Sequence, residues 1–449
     1  MFKTIEEASN YIYKSYVDTY QKINRELSDE FTRKNYLCLD LLEETGRPDI
    51  DQHNILVTGS KGKGSISIIL AKILEGQGYK IGLFTSPHLI KYNERIRVNG
   101  IAISDEDLLS LINKLEPYIS AKMQKLKEDE YLGPVGLTAI IAMHYFLQQK
   151  TDFNIVECGR GARFDDVNVI TSEWAMLNTV FLEHSPALGN KITEVAWHKA
   201  GILKSGVKSC VTALQNANVV NILEEESNKN GVKLCKPELD YFCHNIAVSR
   251  NGTSFDFKNS EIFISALQIN LLGRHQAYNT ALAVQMAFEI LKEKLDIAFL
   301  RESLRNIVWH GRLEIIQRKP LTILDACIHK DCIIYVKEIV SLYAPEKVYV
   351  VIGIPEDKDF VGVIEAFNGF AEKLYVTYAI NDYLKFSEEQ FTKARTVFQG
   401  ETVFISQIEL CLTEAKHAAE SNGAMLIIIG TQSLLKDVKL FYKQTTLNI

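Results

Sequence analysis

At 449 residues, with 47% hydrophobic and 24% charged side chains, the chain has ordinary globular composition and enough apolar residues for more than one core. Its net charge of −6 argues against a nucleic-acid-binding surface, although a local basic pocket remains open. The start, Met1-Phe2-Lys3-Thr4-Ile5-Glu6-Glu7, lacks the basic and apolar regions of a signal peptide, and no apolar run approaches membrane-spanning length.

Eight cysteines are scattered without a C-x-x-C pair, Cys327 and Cys332 being the nearest neighbours. Reduced core thiols in a cytoplasmic protein, with no membrane or nucleic-acid partner, are therefore expected. Residues 5–45 are expected to be helical, with Ile12, Tyr16 and Tyr20 four apart. The short apolar run Ile55-Leu56-Val57 then feeds Thr58-Gly59-Ser60-Lys61-Gly62-Lys63-Gly64-Ser65, and Ile66–Leu74 reads as a helix. A strand, a Gly-rich turn and a helix N-terminus make a nest of backbone N–H groups that suits a polyphosphate. Gly59, Gly62 and Gly64 let the backbone approach the phosphates, and Lys63 can reach the outer ones. The loop is shorter than G-x-x-x-x-G-K-[ST] and has an extra glycine before Ser65.

Ile81–Phe84 is a second strand, ending in Thr85-Ser86-Pro87-His88-Leu89, where open α/β sheets place ligands. Alone, that turn reads better as a proline turn with an exposed histidine. Residues 105–128 and 137–149 carry helical periodicity, and Phe153–Val156 is another strand. It runs into Glu157-Cys158-Gly159-Arg160-Gly161-Ala162-Arg163-Phe164-Asp165-Asp166-Val167-Asn168. A carboxylate at a strand end can hold Mg²⁺ beside a phosphate. The same residues also fit an acidic strand end with a turn fixed by Asp165 and Asn168.

A strand from Ala175 to Phe181 ends at Leu182-Glu183-His184, and helical residues 191–199 deliver His198-Lys199-Ala200-Gly201-Ile202. Residues 241–270 read as a hairpin with an Asn-Gly turn at Asn251-Gly252, followed by helices at 275–293 and 297–306. Trp309-His310-Gly311-Arg312 breaks the helical pattern and places a domain boundary there. Strands at 321–324, 348–352, 374–378 and 425–429 alternate with helices beyond it. The expected architecture is α/β: a P-loop-type, mostly parallel sheet ATPase domain over 1–308, then a smaller Rossmann-like α/β domain over 309–449.

In this order the motifs resemble the folylpolyglutamate synthase/dihydrofolate synthase family of the Mur-ligase superfamily, from about residue 30 to residue 440. The family's T-G-T-N-G-K-G-S stands here as Thr58–Ser65, and its T-S-P-H-L…E-R-I as Thr85–Leu89 with Glu94-Arg95-Ile96. Its E-V-G-L-G-G-R-L-D-A-T-N element is Glu157–Asn168. The L-D-H…L-G…E-K-A-G-I block is matched by Leu182-Glu183-His184, Leu188-Gly189 and His198–Ile202. Gly273-Arg274-His275-Gln276 with Asn279, Gly311-Arg312, Gly353 with Asp357-Lys358-Asp359, and Gly430–Leu434 follow in family order.

The resemblance implies an ATP-dependent amide ligase that phosphorylates a carboxylate and lets an amine attack the acyl phosphate. It implies that Gly59, Gly62, Lys63, Gly64 and Ser65 hold ATP together with Asn279, Arg312 and Asp325. It places Mg²⁺ on Ser86, Glu157 and His184, makes Lys63, Lys199 and His184 the catalytic group, and makes Lys199 a candidate for carbamylation. His329 and Ser433 fall on the substrate side, with a folate or other carboxylate and an amino acid as substrates. The protein is expected to act as a monomer.

The chain departs from the family pattern in several places. D-x-A-H-N-P stands here as Asp325-Ala326-Cys327-Ile328-His329-Lys330, so Ile328 replaces the histidine. F-E-x-x-T stands as Pro134-Val135-Gly136-Leu137-Thr138, and Lys61, Arg160 and Asp166 alter the charge near the Gly-rich loop. Three readings follow. Glutamate is added to a folate, with dihydropteroate as a further acceptor; or the same chemistry joins a different acid and amine; or the chain binds ATP without catalysis. Retention of Ser86, Glu157, His184 and Lys199 together weighs against the third.

Overall fold

The computed structural model describes residues 1–381 and 384–449. The first sheet has eight strands: β1 (Asn54–Thr58), β2 (Ile81–Phe84), β3 (Ile96–Val98), β4 (Ile101–Ala102), β5 (Phe153–Glu157), β6 (Trp174–Leu177), β7 (Ser209–Thr212) and β8 (Lys233–Cys235). Their spatial order is β4-β3-β2-β5-β1-β6-β7-β8, with β2 to β8 parallel where they pair and β3 and β4 antiparallel at one edge.

Alternation along β1 explains how both faces are covered. Ile55 and Val57 enter one core, with the helices Lys63–Gly76 and Arg274–Leu291, while Leu56 enters the other, with the helix Pro134–Gln149. A strand apolar at successive positions is stable only when both faces are dry, which is the parallel-sheet condition. Strands β9 (Tyr241–Ser249), β10 (Gly252–Asn259) and β11 (Phe263–Ile269) form a separate antiparallel sheet. The β9–β10 hairpin turns at Arg250-Asn251, one position before the expected Asn251-Gly252, because Gly252 already pairs with Ser249.

A six-stranded sheet takes β12 (Glu314–Arg318), β13 (Leu321–Asp325), β14 (Val348–Gly353), β15 (Lys373–Val376), β16 (Glu401–Phe404) and β17 (Met425–Gly430), in the order β12-β13-β17-β14-β15-β16. All its neighbours are parallel except β12 against β13. The same alternation recurs: Ile427 and Ile429 face one core, Leu426 and Ile428 the other.

Some expected elements differ. The N-terminal helical stretch is three helices, Ile5–Thr19, Asp29–Thr32 and Tyr36–Glu44, with turns between them. The strand expected to reach Phe181 stops at Leu177. Beyond it the chain follows the Gly-rich loop: Ser60 N–H donates to the Thr179 carbonyl at 2.9 Å, and Phe181 N–H donates to Ser60 Oγ at 3.1 Å. Strands β12 and β16 lie outside the sequence reading; both are short edge strands.

The chain's end returns to the first sheet. Ala102 N–H donates to the Leu447 carbonyl at 3.0 Å, Ile449 N–H donates to the Gly100 carbonyl at 3.1 Å, and Arg97 Nη2 donates to the Thr446 carbonyl at 2.8 Å.

Lys439 is the most fully enclosed charge among the described residues of the second half, its side chain 0% exposed. Its Nζ donates to Glu314 Oε1 at 2.5 Å and to Gln444 Oε1 at 2.7 Å. Removing one member of a buried pair strands the other in low dielectric. Lys439→Ala should therefore lower stability by about 3–5 kcal/mol, read from urea denaturation. A loss under about 1 kcal/mol would place Glu314 in contact with water instead.

Candidate functional site

The Gly59–Ser65 loop leaves β1 and enters the helix Lys63–Gly76 through backbone only glycine adopts easily: φ is 144° at Gly59 and 72° at Gly62. Asn178, just past β6, is wedged against both. A Cβ on Gly59 would stand 2.7 Å from Asn178 Cβ, and one on Gly62 would stand 2.4 Å from Asn178 Nδ2. Asn178 Nδ2 donates to Asn279 Oδ1 at 3.0 Å, and Asn279 Nδ2 donates to Gln276 Oε1 at 3.1 Å.

Gly62 caps the helix without a side-chain hydrogen bond, so the first-turn N–H groups keep their capacity for an anion. Lys63 begins that helix, and its Nζ reaches back to the Gly59 carbonyl at 3.3 Å. Ser65 is buried in the first turn.

Glu157, His184 and Lys199 all feel the Lys63 charge. Glu157, at the end of β5, is buried, and burial pushes its carboxyl up to about 7; Lys63, the Ser86 N–H and Arg312 pull the other way. Among the described residues Glu157 makes no ion pair. His184 follows the loop after β6, with φ at 51°. Desolvation, with the Arg160, Lys199 and Lys63 charges, holds its ring below the ordinary value despite Glu183 nearby, which favours neutral imidazole.

Lys199, on the helix Ile192–Ala200, is 1% exposed, and its Nζ pairs with Glu183 Oε1 at 2.8 Å. Burial lowers its pKa, and Glu183 opposes that shift. Ser86 is half-buried and meets this group through its backbone N–H on Glu157. Among the described residues no three His, Cys, Asp or Glu side chains converge closely enough to hold a metal ion. The structure thus brings Lys63, Glu157, His184 and Lys199 into one electrostatic neighbourhood without closing a cage.

On the far side, Arg312 lies beside Asp325, whose carboxyl burial pushes up. Asp325 Oδ2 accepts the Leu313 N–H at 2.8 Å, and Ala326 N–H donates to the Gly311 carbonyl at 3.1 Å. The segment between the sheets is therefore stitched to the end of β13. The Trp309 ring reaches the Gly-rich loop: a Cβ on Gly64 would stand 2.8 Å from Trp309 Cζ2.

His329 is half-exposed and held by carboxylates, with Nδ1 3.3 Å from Asp331 Oδ2 and Nε2 3.8 Å from Asp359 Oδ2. Ile328 packs partly into the core of the second half. Ser433, in the first turn of the helix Gln432–Phe441, accepts from Asn381 Nδ2 at 2.8 Å. Sequence reasoning missed Asn178 and Trp309 as parts of the site. The signal for Asn178 was its place at a central strand's C-terminal end, concealed by the overlong strand reading.

Two departures from the family pattern prove to be one arrangement. Asp166 lies over the Gly133–Gly136 turn, where a Cβ on Gly133 would stand 1.8 Å from Asp166 Oδ2 and one on Gly136 would stand 2.3 Å from Asp166 Cβ. Only a glycine-flanked turn leaves room for it. Arg33 then ties the carboxylates together, with Nη1 2.9 Å from Asp165 Oδ2 and 4.0 Å from Asp166 Oδ2, and Arg160 Nε donates to Asp29 Oδ2 at 3.0 Å.

A nucleotide-type cradle at the C-terminal ends of β1, β5 and β6, with a second α/β sheet beyond it, defines the Mur-type ligase class. Residues 57–287, just over half of the chain, match the family model of the Mur ligase middle domain. The chain belongs to the folylpolyglutamate synthase/dihydrofolate synthase family. It is 31% identical over 343 residues to dihydrofolate synthase/folylpolyglutamate synthase of Bacillus subtilis (strain 168), covering 75% of this chain and 78% of that one. Its fold matches Mycobacterium tuberculosis folylpolyglutamate synthase complexed with ADP and AMPPCP at a TM-score of 0.86 and 20% identity, over 97% and 99% of the two chains. It also matches a folylpolyglutamate synthase–AMPPCP–folate complex at 0.78 and 25% identity, over 97% and 99%. No helix among the described residues is long and apolar enough to cross a membrane.

The carboxylate cluster yields a pH-dependent prediction. Burial raises Asp166 to about 6 in the fold, with Arg33 opposing and Asp165 reinforcing the shift. The folded state then holds that proton more tightly than the unfolded chain, so this contribution to stability is present at low pH and lost as pH rises from about 4 to about 6. Asp166→Asn should flatten the parent's change in urea midpoint across that window. An undiminished change would assign the titration to other groups.

Proposed function

We propose that the protein uses ATP to join glutamate to a folate, forming an amide with release of ADP and phosphate. The observation that carries this reading is the uncapped, glycine-built helix N-terminus with Lys63 and buried Glu157 beside it, in a chain matching 78% of a dihydrofolate synthase/folylpolyglutamate synthase. In the reaction a carboxylate oxygen of the folate attacks the γ-phosphorus and ADP leaves. The glutamate amine then attacks the acyl carbon and phosphate leaves. Negative charge gathers on the transferring phosphoryl group, and the protein's contribution is positioning and cationic stabilisation.

The Gly59, Gly62, Gly64 and Ser65 backbone receives the phosphates, with Lys63 against the outer ones. Asn279 holds the nucleotide from beside the loop, and Arg312 and Asp325 hold it from the opposite side. Ser86, Glu157 and His184 would hold Mg²⁺: a hydroxyl and a buried carboxylate lacking an ion-pair partner among the described residues are the oxygen donors a hard cation takes, and the His184 imidazole, kept neutral, has a ring nitrogen to add to them. Bound there, the ion would supply positive charge against phosphoryl oxygens.

A carbamate on Lys199 would need its amine neutral, which burial favours. The Glu183 pair opposes it unless a cation joins the two anions. The division into domains 1–308 and 309–449 is supported by the six-stranded sheet's taking every strand from Glu314 onward. We take the protein to work as a cytoplasmic monomer.

The test is ADP release with glutamate and a panel of folates, dihydropteroate and unrelated carboxylates. Turnover should require a folate-type acceptor and glutamate, and Glu157→Gln should nearly abolish it while the protein stays folded by circular dichroism. Turnover confined to another acid or amine would replace folate with that pair, and near-normal rates in Glu157→Gln would take Glu157 out of the site.

His329 supplies a second check. Standing next to the position where the family carries histidine, it is the candidate to take over that residue's part in placing the amine. His329→Ala should slow amide formation by about 100-fold with little change in ATP affinity. Parent-like kinetics would leave His329 as the cap it makes for the short turn before the helix Ile333–Tyr343.

A further inference from the structure

The loop that departs most from the family pattern also places two thiols against a lysine of the Gly-rich loop. Cys327 lies just past β13 and is buried; Cys332 caps the helix Ile333–Tyr343 and is half-buried. Cys327 Sγ reaches the His329 carbonyl at 3.2 Å, and the Cys327 and Cys332 thiols lie close enough for each to shift the other's titration. From the other side Lys61 Nζ approaches Cys332 Sγ at 3.3 Å. A five-residue step and a single helical turn therefore hold two sulfurs and one ammonium together, and the other six cysteines are buried elsewhere.

We propose that Cys332 is a reactive thiolate and that a hydroperoxide converts it, with Cys327, into a disulfide: a modification site at the mouth of the Gly-rich loop. Thiolates, rather than thiols, are the nucleophiles, and they form beside cations and at helix N-termini; Cys332 has both. The Cys327 hydrogen bond and the Lys61 charge hold the Cys332 thiol below the ordinary range against the opposing effects of burial and Asp325, while Cys327 is held above it. Tyr335 also faces Cys332 across the same helix start.

The chemistry closes without a further reactant. Cys332 thiolate sulfur attacks the hydroxyl oxygen of the peroxide; an S–O bond forms to give S–OH, the O–O bond breaks, and the departing alkoxide (hydroxide, from hydrogen peroxide) takes a proton from solvent. Sulfur is oxidised by two electrons and the peroxide is reduced. Cys327 sulfur then attacks Cys332 sulfur; the S–S bond forms, the S–OH bond breaks, and hydroxide leaves as water with the Cys327 proton. The disulfide removes the negative charge that Lys61 faces, which couples the thiol state of this loop to a side chain of the phosphate cradle. None of these steps depends on the substrate assigned above.

Native protein treated briefly with iodoacetamide at neutral pH should carry the label on Cys332 alone, located by peptide mass. Lys61→Met should slow that labelling by about tenfold and move its pH profile upward, since less thiolate is present. After hydrogen peroxide, peptide mapping should find the Cys327–Cys332 disulfide, reversed by dithiothreitol. In Cys327→Ser the reaction should stop at a sulfenic acid that dimedone traps on Cys332. Uniform slow labelling of all eight cysteines, labelling indifferent to Lys61→Met, or two free thiols after peroxide would each overturn the proposal.

Discussion

The close approach of backbone to side chain at Gly59 and Gly62 governs the rest of the site. Asn178 occupies the volume a Cβ would need at either position, and its amide is then committed to Asn279 on the helix Arg274–Leu291. The ends of β1 and β6 and that helix are thereby set against one another. The helix Lys63–Gly76 must start where the loop leaves it, with its first N–H groups unsatisfied by side chains. Parallel strands buried on both faces make this possible, because their dry cores hold the strand ends in register while loops supply the polar groups. The switch in strand order around β1 opens the crevice there.

Charge is distributed in two ways around that crevice. Asp29 and Asp165 are paired with Arg33 and Arg160, so this buried cluster fixes the glycine turn after β5 to the N-terminal helices, while Asp166, 4.0 Å from Arg33, is compensated only in part. Glu157, two residues before that turn, is left with backbone and distant cations, and burial raises its pKa. The contrast is chemical. A carboxylate paired within the fold has no capacity left for a ligand, whereas a buried one with only partial compensation is stabilised by any cation that arrives.

Local pattern carried much of this into the sequence. The apolar runs at β1, β5, β14 and β17 and the Asn-Gly hairpin were legible because their period and turn chemistry act within a few residues. Gly59, Gly62 and Lys63 were legible for the same reason. Asn178 was not, because what distinguishes it from a strand residue is contact with a loop more than a hundred positions earlier. The Asp166 departure was visible as a charge, but its meaning depended on Gly133 and Gly136, which make space for it from another element. Edge strands β12 and β16 are mixed in polarity and mostly half-buried or exposed, so neither leaves an apolar run or a clean alternation. The Lys61–Cys332 contact spans 271 positions and leaves no periodic trace.

The two halves are joined more tightly than a single covalent crossing requires. At Gly311–Leu313 the chain passes between sheets, and Asp325 holds that passage through the Leu313 N–H while Trp309 leans on the Gly-rich loop. The last residues then return: Thr446 Oγ1 donates to Glu94 Oε1 at 2.6 Å, and Glu94 also accepts the Leu89, Ile90 and Lys91 N–H groups. The Ser86–Leu89 turn, the passage and the chain's end are therefore parts of one hydrogen-bonded frame. Rotation of the second half about Gly311 would have to carry the tail with it or break the bonds to Glu94, Arg97, Gly100 and Ala102. Closure about the passage would therefore involve the tail as well, which makes Thr446–Ile449 a mechanical element of the crevice.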